Sequence, residues 1–455
     1  MSAPLRRRCA LFGLLALLGG CQQGVREDRT ITWSADGRAV GFQHGREGVF
    51  VAEPGGAPRK IFDLPPGAIV ASAPRWAPDG KRLLFTVARP EPGQAPAPPA
   101  APAEDDPAGN LFRQRPVVYT CYLRLGAGEG AENTPLFEAA CDHPGYVAAD
   151  LAVRWHPGGD RVLFIDRVDD VRHGLFEYDL AQKARRRVFP RAAPALAFDW
   201  SPAGAYLAVA AGSYQPGEDT EGLWVRREGE ADWWRVPCSE SSHAAALLEG
   251  ARALLPAWAP EGSRFAFVSR TAAVDHGVSY RLHLADAAGR RVRSVDEGAA
   301  PFRDLHWSPR GDRLGYVRGD ADGALYVRDG DGGAPRVVRD SGARRFAGWD
   351  HTGRLLAYTA PDPSLPPASP WTTLLLPAPA ARDAVYVTEG RGPGRVVFCG
   401  QRVTFPRWSP QEDKLSLWLT FEPPYQSVLS RLFRLGLRPG DPAAVLDLHG
   451  GAPTW

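Results

Sequence analysis

Eight times along the 455-residue chain a tryptophan is followed by turn-forming residues and then by an apolar run. The phrases are WSADGRAVGF, WAPDGKRLLF, WHPGGDRVLF, WSPAGAYLAV, WAPEGSRFAF, WSPRGDRLGY, WDHTGRLLAY and WSPQEDKLSL, opened by Trp33, Trp76, Trp155, Trp200, Trp258, Trp307, Trp349 and Trp408. Successive tryptophans are 43, 79, 45, 58, 49, 42 and 59 residues apart. A proline two residues after most of them presets φ, and Asp or Gly in the next positions accepts a tight reversal. Each phrase therefore reads as strand, turn, strand, with the tryptophan as the packing anchor before the turn.

Two further strand-like runs follow each phrase, for example GLFEYDL and RRRVF after Trp155, or ALYVRDG and PRVVRD after Trp307. The unit is thus four short strands. Such a sheet alone leaves two apolar faces and two edges open to water. Radial stacking around a channel covers the faces, and a repeat in the forties with a tryptophan signature points to that arrangement. The expected fold is all-β: a β-propeller of four-stranded antiparallel blades, eight in number, with seven as the alternative if a terminal unit forms no blade of its own. Both RTITW and GGAPTW can supply an innermost strand, and the sequence leaves open which one closes the ring. With 49 Gly and 43 Pro the chain has the turns such a fold needs, and its 44% hydrophobic content can fill a core. A formal net charge of +2 gives no global reason to bind nucleic acid.

On these phrases the chain resembles the TolB-type, WD40-like propeller-repeat family, whose consensus is Trp-Ser-Pro-Asp-Gly before an apolar strand. The resemblance spans Thr30 to Trp455 and implies fold more than activity. Two departures count against specific roles. About ten residues separate Cys21 from the first phrase, leaving no place for the extra α/β domain that precedes the propeller of TolB itself. Peptidases with similar propellers append an α/β-hydrolase domain, for which no room and no Gly-x-Ser-x-Gly elbow is seen.

Residues 1–20 read as a processing signal. Arg6, Arg7 and Arg8 precede CALFGLLALL, an apolar run too short to span a bilayer. Leu18-Gly19-Gly20-Cys21 resembles a bacterial lipobox, which implies a lipid anchor on Cys21; the alternative is a plain secretory signal with an incidental cysteine. Gln22 favours the outer membrane if the cell has one. Residues 21–29 form a short tether and 30–455 a single propeller domain, exported and held to the cell envelope through the N-terminal lipid.

Pro-rich insertions at 88–110 and 361–380, and a shorter one at AGSYQPGEDTEG, fall between the second and third strands of their units. They emerge on the face opposite the Pro-Asp-Gly turns. Loops on a rigid scaffold often carry function, which directs attention to that face near the channel mouth; solvent-exposed tips also simply tolerate such sequences. On the innermost strands the ionisable residues immediately before the repeat tryptophan are Arg75, Arg154, Asp199, His306 and Arg407. Three converging arginines can hold an anion or an acidic peptide segment, or can cross-link blades through Asp199 and turn carboxylates.

Export permits disulfides. A hairpin centred in GAGEGAEN sets Cys121 opposite Cys141, which predicts a bond between them, while Cys238 and Cys399 read as small core residues. No metal site is expected: the ten histidines make no HExxH, Cys-x-x-Cys is absent, and Asp320, Asp322 and Asp331 fit turns better than a calcium loop. His156 and His351 take turn positions where exposure is expected. The combined reading is a noncatalytic, monomeric envelope lipoprotein that binds a protein or ligand without a cofactor, its partner an envelope protein or peptide. The alternative is a propeller enzyme of the polysaccharide lyase or glycoside hydrolase type with its site at the channel mouth.

Overall fold

The computed structural model describes residues 32–446 with internal gaps, the longest being 91–116, 142–152, 239–255 and 363–382. Residues 1–31, and with them the expected signal and Cys21, lie outside the described residues, as does nearly all of both Pro-rich insertions. Among the described residues all regular structure is β-strand.

Seven sheets have four antiparallel strands arranged in sequence order. The sheet carrying WAPDGKRLLF has five. Its innermost position is split between Val70–Ala71 and Arg75–Trp76, both paired with the long strand Arg82–Pro90. Pro74 lies between the two pieces, and without an N–H it cannot extend a ladder, so the strand breaks there. The expectation of eight uniform four-stranded blades is therefore corrected to seven four-stranded blades and this five-stranded sheet. The same long strand takes in Ala88, Arg89 and Pro90, so the insertion expected from residue 88 starts only after Pro90.

The phrases build their turns in one way. The N–H of the residue after each tryptophan donates to the carbonyl five residues on, at 2.8–3.0 Å in the first seven phrases. A glycine inside each of these turns has φ between +68° and +73°, a conformation that other residues adopt at a cost. Where the residue after the tryptophan in these seven phrases is serine or aspartate, its side chain reinforces the closure. Ser34, Ser201 and Ser308 each accept the same returning N–H on Oγ at 2.9–3.0 Å, and Asp350 accepts it on Oδ1 at 2.8 Å.

This closure fixes the sixth residue after the tryptophan beside the neighbouring sheet. The sheets stack on both faces, so strands read as continuous apolar runs. Val162, Leu163, Phe164 and Ile165 in the Trp155 blade are all fully buried, where a one-faced sheet would expose alternate residues.

Neighbouring sheets are clasped by the tryptophans themselves. The indole N–H of Trp155 donates to Arg75 O at 2.9 Å, Trp307 to Ala257 O at 2.9 Å, Trp349 to His306 O at 3.2 Å and Trp408 to Gly348 O at 3.1 Å. In every case the acceptor immediately precedes the tryptophan of the preceding sheet. Burying an indole removes roughly 150–250 Å² from water, worth about 4–6 kcal/mol before entropy is counted. The ring closes where the last phrase meets the first: Gln411 Nε2 donates to Ala35 O at 3.1 Å. Each sheet is made of strands consecutive in sequence, so among the described residues no strand is exchanged between the ends; the terminal GGAPTW lies outside them.

The hairpin carrying Cys121 and Cys141 is registered differently from the expectation. Cys121 pairs with Phe137 and Cys141 with Val117, and the register shifts between Cys121 and Tyr122. The two cysteines thus share a face but sit four residues apart along it, about 13 Å, beyond the reach of a disulfide. Tyr119 lies between them and donates its hydroxyl to Ile165 O in the next sheet. Cys238 is exposed and follows the short outer strand Trp234–Arg235, which corrects its reading as a core residue; the Cys399 side chain lies outside the described residues.

Candidate ligand site on the innermost strands

A strand alternates its side chains between faces. Because each repeat tryptophan is turned into one seam between sheets, the residue before it projects from the opposite face of its innermost strand. Arg75, Arg154, Asp199, His306 and Arg407 all occupy that position and all are half-buried. The structure sorts them into two groups.

Arg75, Arg154 and Asp199 come from three successive sheets. Burial raises the Asp199 carboxyl above its usual range, and Arg154, the backbone N–H of Trp200 and Arg75 oppose that rise. The hydrogen bond from Trp200 N to Asp199 Oδ1 is 3.0 Å long.

His306 and Arg407 form the second group. Burial, followed by the positive charge of Arg407, depresses the His306 imidazole to about 4, so it is neutral at physiological pH. Its ring packs edge-on against Phe346 with centroids 5.4 Å apart.

A neighbouring carboxylate escaped the sequence reading. Asp304 sits at a register shift in its strand with φ +52°, two residues ahead of His306. Its Oδ2 accepts from Phe346 N at 3.1 Å and from Arg303 Nη1 at 3.2 Å, and Arg345 approaches its Oδ1 at 3.5 Å. Asp304 therefore cross-links the Trp307 and Trp349 blades. The two-residue spacing from the pre-tryptophan position was its only sequence signal, and the bulge obscured it.

Other buried polar groups are likewise structural. His156, expected to be exposed, is buried: its Nε2 accepts from Arg161 Nη2 at 2.9 Å, Nδ1 lies 3.1 Å from Asp160 Oδ1, and the ring stands edge-on to Trp200. Its turn faces the next sheet, which explains the burial. His351 is exposed as expected. His283 lies between Ser269 Oγ at 2.7 Å and Ser294 Oγ at 3.0 Å, and burial depresses it to about 4. Among the described residues no group of three or more His, Cys, Asp or Glu side chains is arranged to hold a metal ion.

Comparison with known proteins extends the fold and little else. No family model matches the chain. Dipeptidyl peptidase 4 of Porphyromonas gingivalis superposes with a TM-score of 0.52 at 12% identity, over 89% of this chain and 58% of that one. The shared fold is a β-propeller. TolB from Acinetobacter baumannii aligns with a TM-score of 0.36 at 14% identity, over 73% of this chain and 69% of TolB. A 69-residue stretch is 41% identical to the uncharacterized peptidase YuxL of Bacillus subtilis (strain 168), covering 14% of this chain. The chain spans only 10% of the length of that curated relative.

Proposed function

We propose that the protein is a noncatalytic binding propeller of the cell envelope, anchored through lipid on Cys21, whose innermost strands receive an acidic segment of another envelope protein. One observation carries the binding reading. Of the five pre-tryptophan ionisable groups, three are guanidinium groups, one is a carboxylate and one is an imidazole that Arg407 and burial keep neutral. The sum is a positive field on the innermost strands, in a setting where low dielectric strengthens it. The nearby Asp304 does not cancel that field, because its oxygens already serve Phe346 N, Arg303 and Arg345.

Fluorescence anisotropy of the full chain with a labelled ten-residue polyglutamate peptide tests this. Saturable binding that weakens with added salt is expected, with no binding of the polylysine counterpart. Arg154→Glu and Arg407→Glu should each reduce affinity by roughly tenfold or more, the loss of a buried charge-assisted contact. Arg154→Gln, which keeps the side-chain length without adding repulsion, should fall between. Indifference of binding to these changes or to salt overturns the reading. The anchor is tested separately: labelled palmitate should be incorporated by the native chain and lost with Cys21→Ala.

A further inference from the structure

In five phrases the sixth residue after the repeat tryptophan lies at or beside the next tryptophan around the ring, whereas Arg161 bonds His156, Glu177 and Glu228 instead. The guanidinium of Arg82 lies 5.2 Å from the Trp155 ring centre, that of Arg264 5.0 Å from Trp307 and that of Arg313 4.3 Å from Trp349. Tyr206 stacks on Trp258 with centroids 6.5 Å apart, and Leu355 packs into the cluster that holds Trp408. In the first phrase this position is Ala39.

A methyl group cannot cover an indole, and the consequence is a hollow of about 840 Å³ bordered by Ala39 and Trp76. Three carboxylates, Asp36, Glu53 and Asp79, three cations, Arg38, Lys81 and Arg82, and the exposed Leu125 also line it. Among the described residues no cation or second ring lies over Trp76, and its buried indole N–H has no acceptor. Trp76 therefore lacks both features that fix Trp307 and Trp349.

We propose that this hollow binds a guanidinium group, carried by an arginine side chain of a peptide or by a small arginine-like molecule, which stacks on Trp76 where other seams place their own arginine. The carboxylates supply the charge. Asp36 is held below its usual range by hydrogen bonds from Ser34 Oγ and Arg38 N. Burial pushes Asp79 up, but hydrogen bonds from Lys81 N and from Arg82 more than offset it, so both carboxyls are ionised at neutral pH.

Of the three lining cations, Lys81 is exposed. Arg82 is engaged with Asp79 at 2.8 Å and with Trp155, whereas Arg38 is 85% exposed and only 4.0 Å from Asp36. Glu53 meets Arg59 at 3.9 Å. A planar guanidinium that stacks on an indole and bonds a carboxylate through two N–H groups has an advantage over an ammonium here. Trp76 follows Arg75 on the same short strand and projects from its opposite face, and the two proposals are read with different probes and different variants, so failure of either leaves the other standing.

The test follows the Trp76 indole N–H resonance of the full chain, assigned by its loss in Trp76→Phe, during titration with three probes. These are N-acetylarginine amide, acetyl-Gly-Arg-Gly amide and acetyl-Gly-Lys-Gly amide. Both arginine probes should move the resonance saturably, with the lysine peptide weaker by roughly fivefold or more. Ala39→Arg should abolish the response by supplying the missing guanidinium from within. Ala39→Leu should abolish it by filling the space, and Asp36→Asn should weaken it by roughly tenfold without altering the hollow. A peptide that binds more tightly than the amide identifies a protein partner as the source; equal affinities identify a free small cation. Equal binding of arginine and lysine probes, an unmoved Trp76 resonance, or a response that survives filling of the hollow in a folded variant overturns the proposal.

Discussion

The seams at Trp349 and Trp76 are built from the same phrase and end differently. Trp349 is 7% exposed, donates its N–H to His306 O and lies beneath Arg313. Trp76 is half-buried, with an unmatched N–H and an open space where Arg313 has its counterpart. One is a finished joint, and the other has the same geometry with a piece missing. A repeat protein can thus acquire a ligand site by truncating a single side chain at one position while the scaffold is held by the remaining copies.

The largest effect that breaks this comparison is expected from tryptophan truncation. Trp349→Ala should cost about 3–5 kcal/mol in chemical unfolding, through a cavity and a lost hydrogen bond, and Trp76→Ala about 1–2 kcal/mol less. Equal costs would show that the Trp76 seam is as tightly joined as the other.

Acid comes next. His283 and His306 have folded values of about 4 against 6.5 when unperturbed, so the unfolded chain binds protons first as pH falls. Their contribution to stability is complete above pH 6.5 and is lost progressively as pH drops toward 4, by at most about 3 kcal/mol for each group. Asp36 and Asp79 have lowered values instead, so the Trp76 seam keeps its charge through that window. Urea midpoints at several pH values should show the decline, and His283→Gln should flatten it.

Glycine substitution separates the seams more finely. A Cβ on Gly353 would stand 3.1 Å from the rigid ring of Pro309, whereas one on Gly80 meets nothing closer than 3.8 Å. Gly80→Ala should therefore cost only the left-handed backbone penalty of about 1–2 kcal/mol, and Gly353→Ala measurably more. Smallest of all, Ala39→Arg should raise stability by about 0.5–1 kcal/mol by placing a cation over Trp76. A loss on that substitution would mean that the hollow is not shaped as the other seams are.

Much of this architecture is legible in the phrases alone. The tryptophan, the turn and the left-handed glycine are local features, and local chemistry determines them. The position of the pre-tryptophan residues on the innermost strands was legible for the same reason: strand alternation sets them on the face opposite the tryptophan. What escaped depends on registers and neighbours. The Cys121–Cys141 expectation fails because a shift between Cys121 and Tyr122, together with the hairpin centre, moves the partners to Phe137 and Val117. Counting loop residues does not reveal that displacement. His156 looked like a turn residue in its own phrase, and only the adjoining sheet with Trp200 explains its burial. Pro74 was visible as a proline, but its effect appears only because Arg82–Pro90 is long enough to pair with both fragments. Ala39 was in plain sight: aligning the phrases shows the lone small residue at its position, although its meaning requires knowing which indole that position covers.

The hydrogen bond between Gln411 and Ala35 makes the molecule a linear array bent until its ends touch. With no shared strand serving as a buckle among the described residues, parting the first and last units severs one interface and leaves every ladder intact. Among the described residues, a circle fastened in this way rests the junction of its first and last units on side-chain and turn contacts and not on a backbone ladder.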